Sequence, residues 1–226
     1  MEDLSMRKIG FRATLALALS ATALACAGHA FAANDASNIT LVNTVMDAKL
    51  AVATFAGGCF WTMEHAFDDV PGVVVAISGY TGGHVANPSY EQVSTGTTGH
   101  VESVEVHYDP KKVTYTQLLD IYWHRIDPTQ VGGQACDNGD EYRSMIFAHD
   151  AVQMRQAEAY KDALERSHLF KQPIAVRIAS AGPFYPAEEY HQHFTKKNPD
   201  YYERYRIGCG RDRRLQAVWG SQFEQY

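Results

Sequence analysis

The patterning of the chain predicts an α+β fold: a ferredoxin-like α/β sandwich core with a mixed sheet, long functional loops and an irregular C-terminal tail. Short apolar, β-branched runs alternate with stretches of helical periodicity, as in a sheet with helices packed against it. The 226 residues are 46% hydrophobic and 20% charged, enough for one good core. No internal repeat or linker divides residues 49–226, so they read as one domain. A doubly wound parallel sheet is the second reading.

The N-terminal stretch reads as an address rather than fold. Arg7, Lys8 and Arg12 precede an apolar, alanine-rich run from Ala13 to about Ala27, and Ala30-Phe31-Ala32 has the form of a signal-peptidase site. Residues 1–32 are therefore expected to be a signal peptide cleaved after Ala32, and the polar residues 33–48 a leader segment. The apolar run is shorter than the roughly 20 residues of a membrane span, and no later segment comes close. An exported, periplasmic protein without a membrane span follows. Lipid anchoring at Cys26 is less favoured, because Ala23-Leu24-Ala25 matches a lipobox poorly. Met6 is an alternative start. Cleavage leaves Cys59, Cys136 and Cys209, an odd number for an oxidising compartment.

The elements follow in order. Ala51 to Phe55 reads as a strand ended by Gly57-Gly58, and Phe60 to Val70 as a helix stopped by Pro71-Gly72. Val73 to Ile77 is continuously apolar, as a strand covered on both faces would be. Residues 79–100 read as a long functional loop with a turn of helix near Tyr90. Across 101–108, Val104, Val106 and Tyr108 share one face, and Glu102 is in phase with them. Thr114-x-x-Gln117 is a capping-box start for a helix with Leu118, Leu119, Tyr122, Trp123 and Ile126 inward. A second loop, 127–140, carries Cys136. Tyr142 to Ala148 reads as a strand, and Asp150-x-x-Gln153 opens a helix with Met154, Ala157, Tyr160 and Leu164 inward. Ile174, Val176 and Ile178 suggest a further strand, 186–196 a short helix, and the remainder an aromatic, loop-rich tail.

Within this frame two residues attract chemical attention. A cysteine in the first turn of a helix lies near unpaired N–H groups and the positive dipole end, which favours thiolate. That makes Cys59 a candidate nucleophile; a small buried hydrophobe is the bland alternative. Glu102, on the apolar face of a strand, would be desolvated and held protonated near neutral pH, the state a general acid needs. Glu64, five residues after Cys59, fits a solvated helix face. Phe60 and Trp61 read as core, or as the apolar wall of a pocket beside the thiol. The formal charge of −6 without a long basic run excludes a nucleic-acid surface. Gly79-Tyr80-Thr81-Gly82-Gly83 lacks dinucleotide-binding spacing. No metal site is expected, since His191-x-His193 does not put both rings on one helix face.

Gly57-Gly58-Cys59-Phe60-Trp61-x-x-Glu64 resembles the peptide methionine sulfoxide reductase A family. Later blocks extend the resemblance in order: Gly79 to Gly83, Asn87-Pro88-Ser89-Tyr90, Thr98-Gly99-His100-Val101-Glu102, Gln134-Ala135-Cys136-Asp137-x-Gly139, Glu141-Tyr142-Arg143-Ser144, and Phe184-Tyr185-x-Ala187-Glu188-x-x-His191-Gln192. It spans about residues 51–200.

The resemblance implies that Cys59 attacks the sulfur of the S-epimer of methionine sulfoxide while Glu102 protonates the departing oxygen. It implies that Tyr90 and Tyr142 bond that oxygen beside Asp137, and that Phe60 and Trp61 hold the methyl group. Cys59 would become a sulfenic acid, resolved by a second cysteine to a disulfide that a thioredoxin-like partner reduces. No other cofactor is implied. Substrates would be oxidised proteins or free methionine sulfoxide, and the protein would act as a monomer. Where some relatives carry a cysteine before the Ser-Gly-x-Thr-Gly-His block, this chain has Val93, so the resolving cysteine lies elsewhere. Cys209 between flanking glycines is the first choice and Cys136 the second, with a relay through both also open. Other classes remain: an exported binding or redox-sensing module using a Cys59–Cys209 disulfide, or a thiol hydrolase or peroxidase.

Overall fold

The computed structural model describes residues 50–225; the expected signal peptide, Cys26 and leader lie outside the described residues. A βαββαβ core is present: β1 (Ala51–Ala56), α1 (Phe60–Asp68), β2 (Val73–Thr81), β3 (Val101–Tyr108), α3 (Tyr115–His124) and β6 (Met145–Ala148). A short α2 (Tyr90–Val93) and a two-strand hairpin, β4 (Gly133–Gln134) with β5 (Asp137–Asn138), interrupt it. After β6 come α4 (Ala151–Arg166), β7 (Arg177–Ser180), β8 (Tyr185–Pro186), α5 (Phe194–Lys197), α6 (Pro199–Cys209) and α7 (Arg211–Trp219).

The sheet order is β7-β6-β1-β3-β2-β8, with β7 parallel to β6 and every other pair antiparallel. Its four inner strands have the ferredoxin-like arrangement, and the parallel β7 makes the sheet mixed. Gly79 shows how closely β8 approaches, because a Cβ there would lie 2.4 Å from the Phe184 ring and 2.5 Å from the Tyr185 carbonyl oxygen.

Helices α1 and α3 cover one face of the sheet. Phe55 on β1 stacks on Phe67 of α1 at 5.3 Å and on Tyr122 of α3 at 5.1 Å, with Leu118, Leu119 and Trp123 fully buried around them. The Thr114 capping box forms, Thr114 Oγ1 accepting from Gln117 N and Gln117 Oε1 from Thr114 N. The Tyr122 hydroxyl donates to the Ala56 carbonyl at 2.9 Å, which fixes the end of β1 just before the Gly57-Gly58 turn.

Several expectations need correction. The run from Val73 is partly solvated rather than covered on both faces, with Val74 exposed, because its outer edge is paired only where β8 reaches it. The same strand continues to Thr81, shortening the expected loop. Tyr142 lies in a 3-10 turn, Asp140–Tyr142, and the strand begins only at Met145. The strand expected from Ile174 starts at Arg177. Much of 186–196 is turn, with helix only from Phe194.

The tail is helical rather than irregular. Pro199 occupies the first turn of α6, and Gly210, at φ 66°, supplies the left-handed residue between α6 and α7. The apolar stripe of these helices is thin, namely Tyr202, Leu215 and Trp219 among charged neighbours, so its periodicity is weak. Trp219 anchors α7: its Nε1–H donates to the Ile126 carbonyl at 2.8 Å, and its ring meets Phe170 and His124.

Trp219→Ala is expected to lower unfolding free energy by roughly 3–5 kcal/mol, as for other buried large-to-small changes. Urea denaturation measures this. A loss near zero would show that α7 is not part of the cooperative core.

Candidate active site

Cys59 is the N-cap of α1, and its carbonyl accepts from Thr62 and Met63, which starts the helix. The side chain is only 6% exposed, and among the described residues it is a free thiol. Burial, then the carboxylates of Glu102 and Asp137, push the Cys59 thiol up, against the smaller pull of the Trp61 N–H and the Tyr205 hydroxyl. This corrects the expectation of a helix-activated thiolate. The helix end is present, but it is outweighed by desolvation and two acids, so the resting group is a thiol.

Glu102 is 3% exposed, in phase on β3 as the alternation indicates. Its Oε2 accepts the Phe60 backbone N–H at 2.9 Å. Burial pushes its pKa to about 8, aided by Asp137 and Glu141 and opposed by the Phe60 N–H. A neutral carboxylic acid therefore faces the buried thiol at neutral pH.

Asp137 on β5 accepts the Tyr205 hydroxyl at 2.6 Å, and Arg211 Nη1 lies 3.8 Å away. Burial raises the Asp137 pKa, while Tyr205, Arg211 and the Cys59 backbone N–H hold it down. Tyr142 is close enough that Glu102, Tyr90, Cys59 and Asp137 all raise its pKa, after burial itself. Tyr90 heads α2, where its N–H donates to Glu188 Oε1 at 2.8 Å, and Ser89 closes a capping box. Burial, then Glu102, raises the Tyr90 hydroxyl. The structure thus brings Cys59, Glu102, Asp137, Tyr90 and Tyr142 together from five separate segments.

The aromatic pair divides its roles. Phe60 is buried against Tyr80 and the His191 ring, the latter at 4.9 Å. Trp61 is half-buried: its face stacks on Phe194 at 3.7 Å, and its Nε1–H donates to His191 Nδ1 at 3.1 Å. Glu64, read as solvated, is 0% exposed. Its Oε1 accepts the backbone N–H of His193, a residue at φ 50°, at 2.9 Å. His191 and His193 consequently go to different places, one under the aromatics and the other against Glu64 and Asp68.

Cys136 and Cys209, the two candidate resolving residues, are bonded to each other. Cys209 ends α6 instead of lying in a loop-rich tail. Sequence reasoning missed Tyr205, which reaches both Cys59 and Asp137, and Arg211, which is buried and also donates to the Gly57 carbonyl. One tyrosine among thirteen carries no signal of its own. His191 had a signal only through its block, Ala187-Glu188-x-x-His191-Gln192.

The Glu102 carboxyl has a folded pKa of about 8 against an ordinary 4.5. The fold binds its proton more tightly than the unfolded chain does, so its stabilising contribution is full below pH 4.5 and lost as pH rises through about 8. Glu102→Gln should therefore match the wild type in stability near pH 4.5 and exceed it increasingly toward pH 8.5, by at most on the order of 4 kcal/mol. Melting temperatures across that range test this; a gap independent of pH would mean that the carboxyl is not held neutral.

Comparison with known proteins adds a separate line. The family model described as peptide methionine sulfoxide reductase matches residues 51–223. The chain is 52% identical over 180 residues to a peptide methionine sulfoxide reductase MsrA of Bacillus licheniformis, covering 80% of this chain and 99% of that protein. Among solved structures it is similar to reduced Mxr1 from Saccharomyces cerevisiae, with 34% identity, TM-score 0.62, and coverage of 67% of this chain and 87% of that one. It is also similar to methionine sulfoxide reductase A of Corynebacterium diphtheriae, with 35% identity, TM-score 0.59, and coverage of 66% and 76%.

Proposed function

This chain belongs to the peptide methionine sulfoxide reductase family and reduces methionine sulfoxide to methionine; from that premise we propose which residues carry the reaction, and in what order. The observation that carries the proposal is the buried Glu102 acid, tied at 2.9 Å to the N–H of the residue after Cys59 and protonated at neutral pH.

The sulfoxide methyl packs on the Phe60 and Trp61 walls, and the S-epimer directs its oxygen toward Glu102, Tyr90 and Tyr142. Hydrogen bonds from these three polarise the S–O bond. Cys59 Sγ bonds the substrate sulfur, and the oxygen, protonated by Glu102, passes to Sγ as the substrate S–O bond and the transient Sγ–S bond break. Methionine leaves, two electrons having passed to its sulfur, and Cys59 becomes a sulfenic acid. The thiol proton replaces the one lost from Glu102, so the site begins and ends neutral. Asp137 holds the Cys59 backbone and Tyr205 in place.

Cys136, beside Asp137, then attacks the sulfenic acid, forming a Cys59–Cys136 disulfide and releasing water. Cys209 attacks Cys136, which returns Cys59 to the thiol and leaves the Cys136–Cys209 pair. A free Cys59 beside a bonded Cys136–Cys209 is the product this order requires. A thioredoxin-like dithiol protein resets the pair, and no other cofactor is needed because thiols supply both electrons. Residues 49–226 are the catalytic unit, acting as a monomer. Residues 1–32 direct export to the periplasm, where oxidised proteins or free methionine sulfoxide are the substrates. Among the described residues no helix is long and apolar enough to cross a membrane.

The mature chain with dithiothreitol should consume the S-epimer and spare the R-epimer, with the rate falling above a pH of about 8 as Glu102 loses its proton. Equal consumption of both epimers, followed by chiral chromatography, would sink the assignment. Glu102→Gln should reduce kcat/KM by about 10²–10⁴-fold, the usual worth of a positioned acid; an unchanged value would remove Glu102 from the chemistry. After one turnover without reductant, Cys209→Ser should accumulate a Cys59–Cys136 disulfide, and Cys136→Ser a Cys59 sulfenic acid trapped by dimedone. Peptide mapping reads both, and the reverse pattern would exchange the two resolving roles.

A further inference from the structure

Cys209 is flanked by two residues whose side chains converge on one carboxylate next to Cys136. Tyr205 lies one helical turn before it on α6, and Arg211 opens α7 just after it. The Tyr205 hydroxyl donates to Asp137 Oδ2 at 2.6 Å, and Arg211 Nη1 stands 3.8 Å from the same oxygen. The second oxygen, Asp137 Oδ1, lies 3.7 Å from Cys136 Sγ. One carboxylate thus serves both halves of the cysteine pair, the tail through Oδ2 and the hairpin through Oδ1.

Arg211 is costly to bury. It is 2% exposed, and among the described residues its Nε and Nη1 find no hydrogen-bond partner. Only Nη2 is satisfied, by the carbonyls of Gly57 and, at 3.5 Å, Arg125. A guanidinium in that state needs a negative charge in front of it, and Nη1 faces Asp137. Both ends of this contact are fixed to the core by groups outside the disulfide. Asp137 accepts the Cys59 backbone N–H, Arg214 Nε bonds Asp127 at 2.6 Å, and the Trp219 Nε1–H bonds the Ile126 carbonyl at 2.8 Å.

We propose that Arg211 and Tyr205 are positioning residues for recycling: through Asp137 they hold Cys209 within reach of Cys136 while the bond between the two is open. The proposal rests on the reading that Cys209 resolves a Cys59–Cys136 disulfide. In that step Cys209 gives its proton to water and attacks Cys136 Sγ. The Cys136–Cys209 bond forms as the Cys59–Cys136 bond breaks, and Cys59 leaves as a thiolate that takes a proton from water; no electrons enter or leave. A seated tail presents Cys209 at high effective concentration, whereas a loose one spreads it over the volume its chain can sweep. Linkage is reciprocal: contacts that favour the bonded geometry strengthen the bond, and their loss weakens it.

The full chain with Cys26→Ser and Cys59→Ser keeps Cys136 and Cys209 as its only cysteines. It is equilibrated in mixtures of reduced and oxidised dithiothreitol, and free thiols are counted by alkylation and mass spectrometry. Tyr205→Phe and Arg211→Met should each lower the disulfide-to-dithiol ratio by about tenfold, the worth of one charge-assisted hydrogen bond. In an Asp137→Ala background neither change should lower it further. An effect that persists there means that the two residues act by packing alone, and overturns the proposal. So does an unchanged ratio in Tyr205→Phe, which keeps the ring and decides the matter even where Arg211→Met fails to fold. With Cys59 restored and one equivalent of sulfoxide without reductant, Tyr205→Phe should lengthen the life of the Cys59–Cys136 disulfide by about tenfold; an unchanged lifetime removes the positioning role. The equilibrium needs no sulfoxide, so a wild type that never forms Cys59–Cys136 overturns the relay and leaves the measured grip of Asp137 on the tail standing.

Discussion

The hydrogen bond from the Phe60 N–H to Glu102 Oε2 ties the central strand to the first turn of the first helix. It joins the one buried acid aligned with the core face of β3 to the residue next to the buried Cys59 thiol. Everything else in the site is arranged around the consequences of placing them together. Two ionisable groups in a dry environment cannot both be charged cheaply: burial raises both pKa values, and Glu102 raises that of Cys59 further. Their shared neutrality suits a substrate whose sulfur–oxygen bond is already strongly polarised and needs a proton more than it needs a resident anion.

Asp137 and Glu141 add to the same crowding, and the C-terminal helices supply the compensation. Arg211 approaches Asp137 from α7 and also bonds the Gly57 carbonyl, so it braces both the acid and the turn before Cys59. Arg214 bonds the buried Asp127 at 2.6 Å. Tyr205 completes the roof over the thiol. Glu64 works from the other side: by fixing the His193 backbone it holds the segment that places His191 under Phe60 and Phe194 against Trp61. Gln192 assists by bracketing both backbone groups of Ser78.

Much of the core was legible because period and position carry direct physical meaning. Alternation along 101–108 places Glu102 inward, and the capping box at Thr114 starts a helix where it was expected. Glu64 was misjudged because a single carboxylate in a helix does not reveal that an αL residue 129 positions away will use it. The tail was misjudged because its helices are held by a few large contacts, Trp219 above all, rather than by a broad apolar stripe. Tyr205 and the pairing of Cys136 with Cys209 depend on how that tail folds back, which no local pattern encodes. The ordered motif blocks carried the choice of Tyr90, Tyr142 and Asp137, and spacing alone would not have selected them.

The covalent link between Cys136 and Cys209 spans 73 positions of chain. Closing a loop of that length in the unfolded state removes chain entropy worth about 4 kcal/mol in the simple model. Oxidised and reduced molecules of this protein therefore differ in thermodynamic resilience as well as in electron count. The fully reduced form is the more easily unfolded of the two. The Trp219 anchor and the Arg211 and Arg214 contacts hold the tail independently of that link. Each reduction of the pair thus costs the fold part of its durability.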